Sequence, residues 1–559
     1  PRHNLADAPY LAKAAARRPS VGDGAQDLTA PAHRREQRRK KTQKLMSKTA
    51  PTNPAERAQQ LRQELERCDR FMRATDAVVR RKEIEAKKLI WGIPRWTTDL
   101  GFHGMEWGPE GDLYICFADP SLFYSDFSRP DHRSHWTFFS QPDGTKTPYT
   151  GVGGVLRCRP DGSQLRIVVG GTKNNCGIAF DHHWNLFGSD NDHEPIPSLY
   201  SPLRLMHLAP HTHFGWPRGW MAEKSPDRAD LLETVCDSLG RGAPVGMAYY
   251  DDAYLPSRYR NNLLLGRWGR RAVGRYPLTP DGASFRAEEQ FLLQCRGDAR
   301  PVCAAVGRGG RIFVTVSYMS QYEGDPSYVS DLVMITRADD SSMHPFDAYD
   351  PTAADEAKLW RELANPSWSR RQRAHVELLR RGGTIHEEAV RRLGRANPRA
   401  ADFVHLIWLA AASRSPESTS HLTKLATHSD PMVRCQVIRS LTEYRHHDVL
   451  QKVCSQALAD ANPQVRLAAV QSFFNSDVDV PDQVALGPAR SKDTFLRQAA
   501  TLLLARRASS DQLAALCDAK DAATRLSGVL AVGFRLTMPL PSEPVPESLP
   551  IDPSYGLVN

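Results

Sequence analysis

None of the ten cysteines forms a Cys-x-x-Cys pair, and no Cys-x-x-Cys-His occurs. The first absence excludes a zinc ribbon and the second excludes c-type haem attachment within this chain. No apolar run approaches the roughly 20 residues that cross a bilayer, so no transmembrane segment is expected. The chain starts at Pro1 without the charged and apolar regions of a signal peptide, which leads us to expect a fragment or a processed chain. The cysteines show no disulfide framework. Cys116, Cys303, Cys435 and Cys454 lie in apolar contexts and are expected to pack as small hydrophobes.

What is present is ordinary for globular protein: 41% hydrophobic and 25% charged residues over 559 positions, enough for two to four domains. The net charge of +9 is unevenly spread. Residues 1–90 hold 22 Lys or Arg against 11 Asp or Glu, so the other 469 residues sum to −2. Basic character therefore belongs to the N-terminal segment, where Arg34-Arg35 and Arg38-Arg39-Lys40-Lys41 are densest. Residues 1–52 read as a solvated, disordered tail rather than a specific nucleic-acid arm. In residues 53–90, Asn53, Pro54 and Glu56 open an amphipathic helix carrying Leu61, Leu65, Cys68, Met72 and Val79.

From residue 91 to 340 the pattern is short strands between Gly, Pro and Asp turns. Phe102 to Trp107 alternates, Gly108-Pro109-Glu110-Gly111 turns, and Leu113 to Phe117 returns. The plan recurs at Gly177 to Phe187, at Gly246 to Leu265 and at Cys303 to Val316. Four such hairpins spaced tens of residues apart predict radial repetition, hence a β-propeller, of which only about four blades are visible.

After residue 352 the period becomes helical. Asp430-Pro431-Met432-Val433-Arg434 returns 32 residues later as Asn462-Pro463-Gln464-Val465-Arg466. Looser copies stand at Asn365-Pro366-Ser367-Trp368 and Asp493-Thr494-Phe495-Leu496-Arg497. Asp or Asn caps a helix and Pro suits its first turn. The region 352–536 is therefore expected to be an α-solenoid of HEAT type, followed by a proline-rich tail, 537–559.

Several residues have the chemistry of a site. His103, at the opening of the first hairpin, is either a general base or a ring satisfying loop backbone. Asp119 either orients it or serves the Asp-Pro turn. Lys173 and Asn174, entering the second hairpin, either stabilise negative charge or form a polar bend. Asp190 and Asp192 offer hard oxygens suited to calcium, or an acidic turn. His207, His211 and His213 read as loop packing before a metal trio.

Taken in order, FHGMEWGPEGDLY, GTKNNCGIAFDHHWNLFGSDND, HFGWPRGW, APVGMAYYDDAYLPSRYRNNLLLGRW and RPVCAAVGRGGRIFVT resemble the glucose/sorbosone dehydrogenase-like propeller. With NPSWSRRQRAHVELLRRGG and the HEAT units behind them, about residues 95–545 resemble the membrane-bound dehydrogenases of Planctomycetes-type bacteria. That resemblance implies a six-bladed propeller, periplasmic or membrane-associated, oxidising a sugar-like alcohol or aldehyde with pyrroloquinoline quinone and calcium. It also implies electron transfer to a cytochrome c module, absent after the tail, and protein partners for the solenoid. His103 matches the family's base and Asp119 its supporting acid. Asn174 and Arg300 match quinone contacts, and Lys173 stands where the family carries Arg. Three cofactor positions depart: Lys173, Val302 for a second Arg, and Gly269 for a Lys. The alternative expectation is a non-catalytic scaffold binding protein or glycan.

Overall fold

A computed structural model describes residues 89–90, 101–118, 137–149, 153–191, 203–216, 228–236, 239–240, 242–318, 329–340, 349–475 and 482–537. The basic tail, nearly all of the amphipathic helix, the proline-rich tail beyond residue 537, Asp119 and Asp192 lie outside them. The chain divides into two compact units, 1–87 and 88–559, and everything below concerns the second.

The first blade holds β1 (Phe102–Trp107), β2 (Leu113–Phe117), a side hairpin of β3 (Thr137–Ser140) and β4 (Lys146–Tyr149), then β5 (Gly153–Cys158) and β6 (Arg166–Thr172). Its sheet runs β1-β2-β5-β6. The second blade is β7 (Asn175–Phe180), β8 (Leu186–Asp190) and β9 (Arg204–His207). The chain then returns as β10 (Thr212–His213), which lies parallel on β6 and ties the two blades together. The third blade contains β11 (Pro244–Tyr250), β12 (Asn262–Arg267), β13 (Ala272–Pro277), a hairpin of β14 (Thr279–Asp281) and β15 (Ser284–Arg286), and β16 (Gln290–Gln294). Its sheet runs β11-β12-β13-β16. The fourth blade is β17 (Ala299–Val306), β18 (Ile312–Tyr318) and β19 (Val329–Ile335).

The innermost strands pack in series, β1 on β7, β7 on β11 and β11 on β17. No comparable packing joins β17 to β1 among the described residues. Among the described residues the four sheets form a propeller-like sector, in keeping with the four visible hairpins. Each inner strand is bulged at the same place: between Phe102 and Met105, Asn175 and Gly177, Val245 and Met247, and Pro301 and Cys303. Glycine at the bulge lets neighbouring strands approach. A Cβ on Gly104 would meet Ile178 N at 3.0 Å, and one on Gly177 would meet Met247 N at 2.9 Å. On Gly246, at φ +58°, it would meet Cys303 Cα at 2.9 Å. The repeated His-Gly-Met, Cys-Gly-Ile, Val-Gly-Met and Val-Cys-Ala are thus one structural position in four blades. Cys303 is the last of that series among the described residues and is exposed, not packed as expected. Cys116, Cys435 and Cys454 are buried as expected.

Among the described residues twelve helices follow: α1 (Glu356–Glu362), α2 (Trp368–Arg381), α3 (Thr384–Leu393), α4 (Phe403–Ala411), α5 (Pro416–Leu425), α6 (Pro431–Glu443), α7 (His447–Ala457), α8 (Pro463–Asn475), α9 (Asp482–Ala489), α10 (Thr494–Arg507), α11 (Ser510–Cys517) and α12 (Ala522–Thr537). The repeated motif explains their spacing. Asn365, Asp430, Asn462 and Asp493 each accept a backbone N–H at the following helix start, at 2.8–3.0 Å. The motif arginine then folds back on the turn. Arg371, Arg434, Arg466 and Arg497 each donate from Nη1 to the carbonyls six and five residues earlier. Asp521 and Arg525 repeat both contacts without a proline, a fifth copy that the sequence pattern hides.

One face of the solenoid is spent on the propeller. Five glutamines bracket propeller carbonyls: Gln372 on Trp107, Gln436 on His183, Gln464 on Ser284, Gln471 on Pro210 and Gln498 on His213 and Asp230. Between them Trp184 packs edge-on to Trp368 at 4.8 Å, and the Arg371–Asp251 ion pair is buried at 2.8 Å. Core residues of both halves form one continuous cluster. Burying amide donors on backbone acceptors satisfies groups that would otherwise cost about 1–3 kcal/mol each.

Candidate functional site

The bulges place the candidate residues. His103 lies in the bulge of β1, half-buried, at the position that Cys176, Val245 and Val302 hold in the other blades. Ala118 donates its N–H to Gly101 O at 3.1 Å and forms a bridge with Asn174. The start of β1 and the entry to β7 are therefore joined at one end of the sector. His103 consequently lies on an innermost strand, at the same end as Lys173 and Asn174.

Asp190 fixes that entry. Its carboxylate accepts the N–H groups of Lys173 at 3.1 Å and Asn174 at 2.8 Å, and pairs with Arg204 at 3.0 Å. Asp190 and Arg204 are both fully buried, and Arg204 also donates to Phe214 O at 3.0 Å. The carboxylate acts on the backbone: it holds the turn that presents Lys173 and Asn174, themselves 4% and 5% exposed. A guanidinium against Asp190 opposes a calcium ion on the same oxygens. Among the described residues no group of three His, Cys, Asp or Glu side chains could hold a metal.

Arg300 stands two residues before Val302 on β17, the place that Asn174 has before Cys176 on β7. Its guanidinium lies over the Trp268 ring at 5.3 Å, and Nη1 donates to Trp268 O at 3.0 Å. Gly269 sits in the next turn, where Gly242 crosses it at φ +111° with no room for a side chain on Gly242.

The three histidines expected in loops do other work. His207 is on β9, boxed by Phe187, Phe285 and Phe495, and burial pushes its pKa down to about 3. His211 packs on Phe474 at 4.2 Å, and the backbone of His213 is bracketed by Gln498. All three belong to the joint with the solenoid. That joint also buries His375, whose Nε2 meets Pro109 O at 2.7 Å, and His405; burial holds both well below the usual imidazole range. The sequence reading missed the joint. Its one signal was the recurrence of Gln within the solenoid repeat.

Comparisons with known proteins bear on both halves. A family model described as HEAT repeats matches residues 396–473. A second, described as a domain of unknown function (DUF7133), matches residues 85–323. No curated protein matches the chain. Among solved structures, the PQQ-bound aldose sugar dehydrogenase of Streptomyces coelicolor aligns at 17% identity over 42% of this chain and 62% of its own, with a TM-score of 0.30. A glucose dehydrogenase aligns at 16% identity over 39% of this chain and 80% of its own, with a TM-score of 0.27. The chain spans less than two thirds of the first, and alignments this weak carry no argument about its chemistry.

Proposed function

We propose that the described blades belong to a six-bladed-type propeller that oxidises a sugar-like alcohol or aldehyde at its hub, as in the Planctomycetes-type dehydrogenases that the sequence resembles. One observation carries the reading. The bulge of β1 sets His103 at the end of the sector where the Ala118–Asn174 bridge brings in the Lys173-Asn174 turn.

Oxidation of an alcohol needs a proton acceptor and a hydride acceptor. His103 would take the hydroxyl proton, as an imidazole does near neutral pH. A quinone supplies hydride acceptance when bound. Lys173, Asn174 and Arg300, all at the leading ends of inner strands, are donors of the right kind to hold an anionic quinone. Calcium on Asp190 does not fit, since Arg204 and two backbone N–H groups occupy that carboxylate, and no step is drawn through it. Electrons would leave to a haem or quinone partner, and a location outside the cytoplasm belongs to the same reading.

The engaged Asp190 and Arg300, with Val302 and Gly269 in place of cations, favour a second reading: a non-catalytic scaffold binding protein or glycan. Dye reduction separates the two. With added quinone and calcium and a panel of sugars and alcohols, a dehydrogenase reduces the dye and His103→Ala abolishes turnover. No turnover with any member of the panel leaves the scaffold.

A further inference from the structure

At the opposite end of the inner strands lies a second concavity, and we propose that it binds a neutral saccharide, with the Trp107 indole as stacking platform and Glu106 and Gln372 as hydroxyl ligands. It is about 840 Å³, walled by β1, β11 and β17 of the propeller and by α2 of the solenoid. That volume is within the roughly 300–1,000 Å³ of small-molecule sites. On β1 it begins about 10 Å from His103, three residues at strand rise, and on β17 it runs from Cys303 to Val306, away from the strand ends that carry Lys173 and Asn174.

The chemistry of its walls selects the ligand. Trp107 is 39% exposed, an uncommon state for so large an apolar surface. Met247 and Trp368 add apolar wall. An indole with an open face beside polar groups suits a ring with an apolar C–H face and a hydroxyl rim. Gln372 Nε2 lies 3.1 Å from Glu106 Oε2 and 3.0 Å from Trp107 O, which fixes the carboxyl at the wall. Burial raises the Glu106 pKa to about 7, against the pull of Gln372 and Arg373. Near neutral pH the group is therefore partly protonated, and it can accept from a hydroxyl or donate to one.

Formal charge on the lining cancels, three carboxyls against three arginines. Glu377 is already paired with Arg380 at 2.6 Å, and Glu110 with Arg157 at 2.7 Å. An uncharged polyol leaves those pairs intact.

The test is calorimetric titration of the full chain with maltotetraose, cellotetraose and N-acetylchitotetraose, beside acidic tetragalacturonate and basic chitosan tetramer. We expect saturable binding of at least one neutral probe, weakened about tenfold or more by Trp107→Ala and several-fold by Glu106→Gln. Binding lost in His103→Ala but kept in Trp107→Ala belongs to the hub, so failure of the hub reading and failure of this one are distinguishable. Trp107 is surface-exposed, and circular dichroism establishes that its variant is folded. Absence of binding by all neutral probes, affinity untouched by Trp107→Ala, or preference for a charged tetramer would overturn the proposal.

Discussion

Replacing His207 with phenylalanine should make the protein less stable at neutral pH and more stable in mild acid. The ring is boxed by Phe187, Phe285 and Phe495, with one polar contact, Nδ1 to Ser284 Oγ at 3.2 Å. Burial, then the nearby Arg439 charge, lowers its pKa from 6.5 to about 3. The native state therefore holds the ring neutral, while the unfolded chain protonates it below pH 6.5. Stability is complete above that value and is lost as pH falls towards the folded pKa. At pH 5 the loss from this one group is about 2 kcal/mol, and above pH 7 it is negligible. Phenylalanine removes the titration but also the Ser284 hydrogen bond, at about 1 kcal/mol. The variant should be about 1 kcal/mol less stable at pH 7.5 and about 1 kcal/mol more stable at pH 5, with equality near pH 6. Urea unfolding of both proteins across this range measures the difference. A stability difference independent of pH would refute the reasoning.

Glu106→Gln should show the opposite pH trend. A carboxyl raised to about 7 is favoured protonated in the native state, so ionisation costs stability as pH rises from 4.5 through 7. The variant should gain up to about 3 kcal/mol at pH 8, less whatever solvent screens at this half-buried site, and nothing near pH 4; urea midpoints at the two pH values decide. Gly246→Ala, at φ +58° against Cys303 Cα, should cost more than about 2 kcal/mol, while Gly144→Ala, at φ +86° in open space, should cost about 1. Equal thermal shifts would contradict the close-approach argument. Arg371→Met leaves the buried Asp251 carboxylate to Arg260 alone, at 2.9 Å, and should cost about 3 kcal/mol, part of it recovered in Arg371→Met/Asp251→Asn. A double-mutant cycle with no coupling would remove that pair from the joint.

Much of this architecture was legible because its repeats are short and local. Gly104, Gly177 and Gly246 recur for a steric reason, and Asp430 and Asn462 cap helices through contacts within a few residues. The joint was hidden because its partners lie far apart in sequence, by 120 residues for Arg371 and Asp251 and by 253 for Gln436 and His183, and a glutamine gives no sign of which carbonyl it will meet. Asp190 was misleading for a related reason. Its acidic neighbours suggest a cation, but the cation that it meets is Arg204, on the next strand. His103 and Asn174 were brought together only by the family resemblance, since nothing local in either segment shows that the Ala118–Asn174 bridge will set their strand ends at one end of the sector.

Titration of pyrroloquinoline quinone into the full chain, followed by tryptophan fluorescence, tests the hub most directly. The account predicts saturable quenching that weakens at least tenfold in Arg300→Ala and in Lys173→Ala, about 1.4 kcal/mol or more for each contact. A flat titration, or one indifferent to both substitutions, would contradict it.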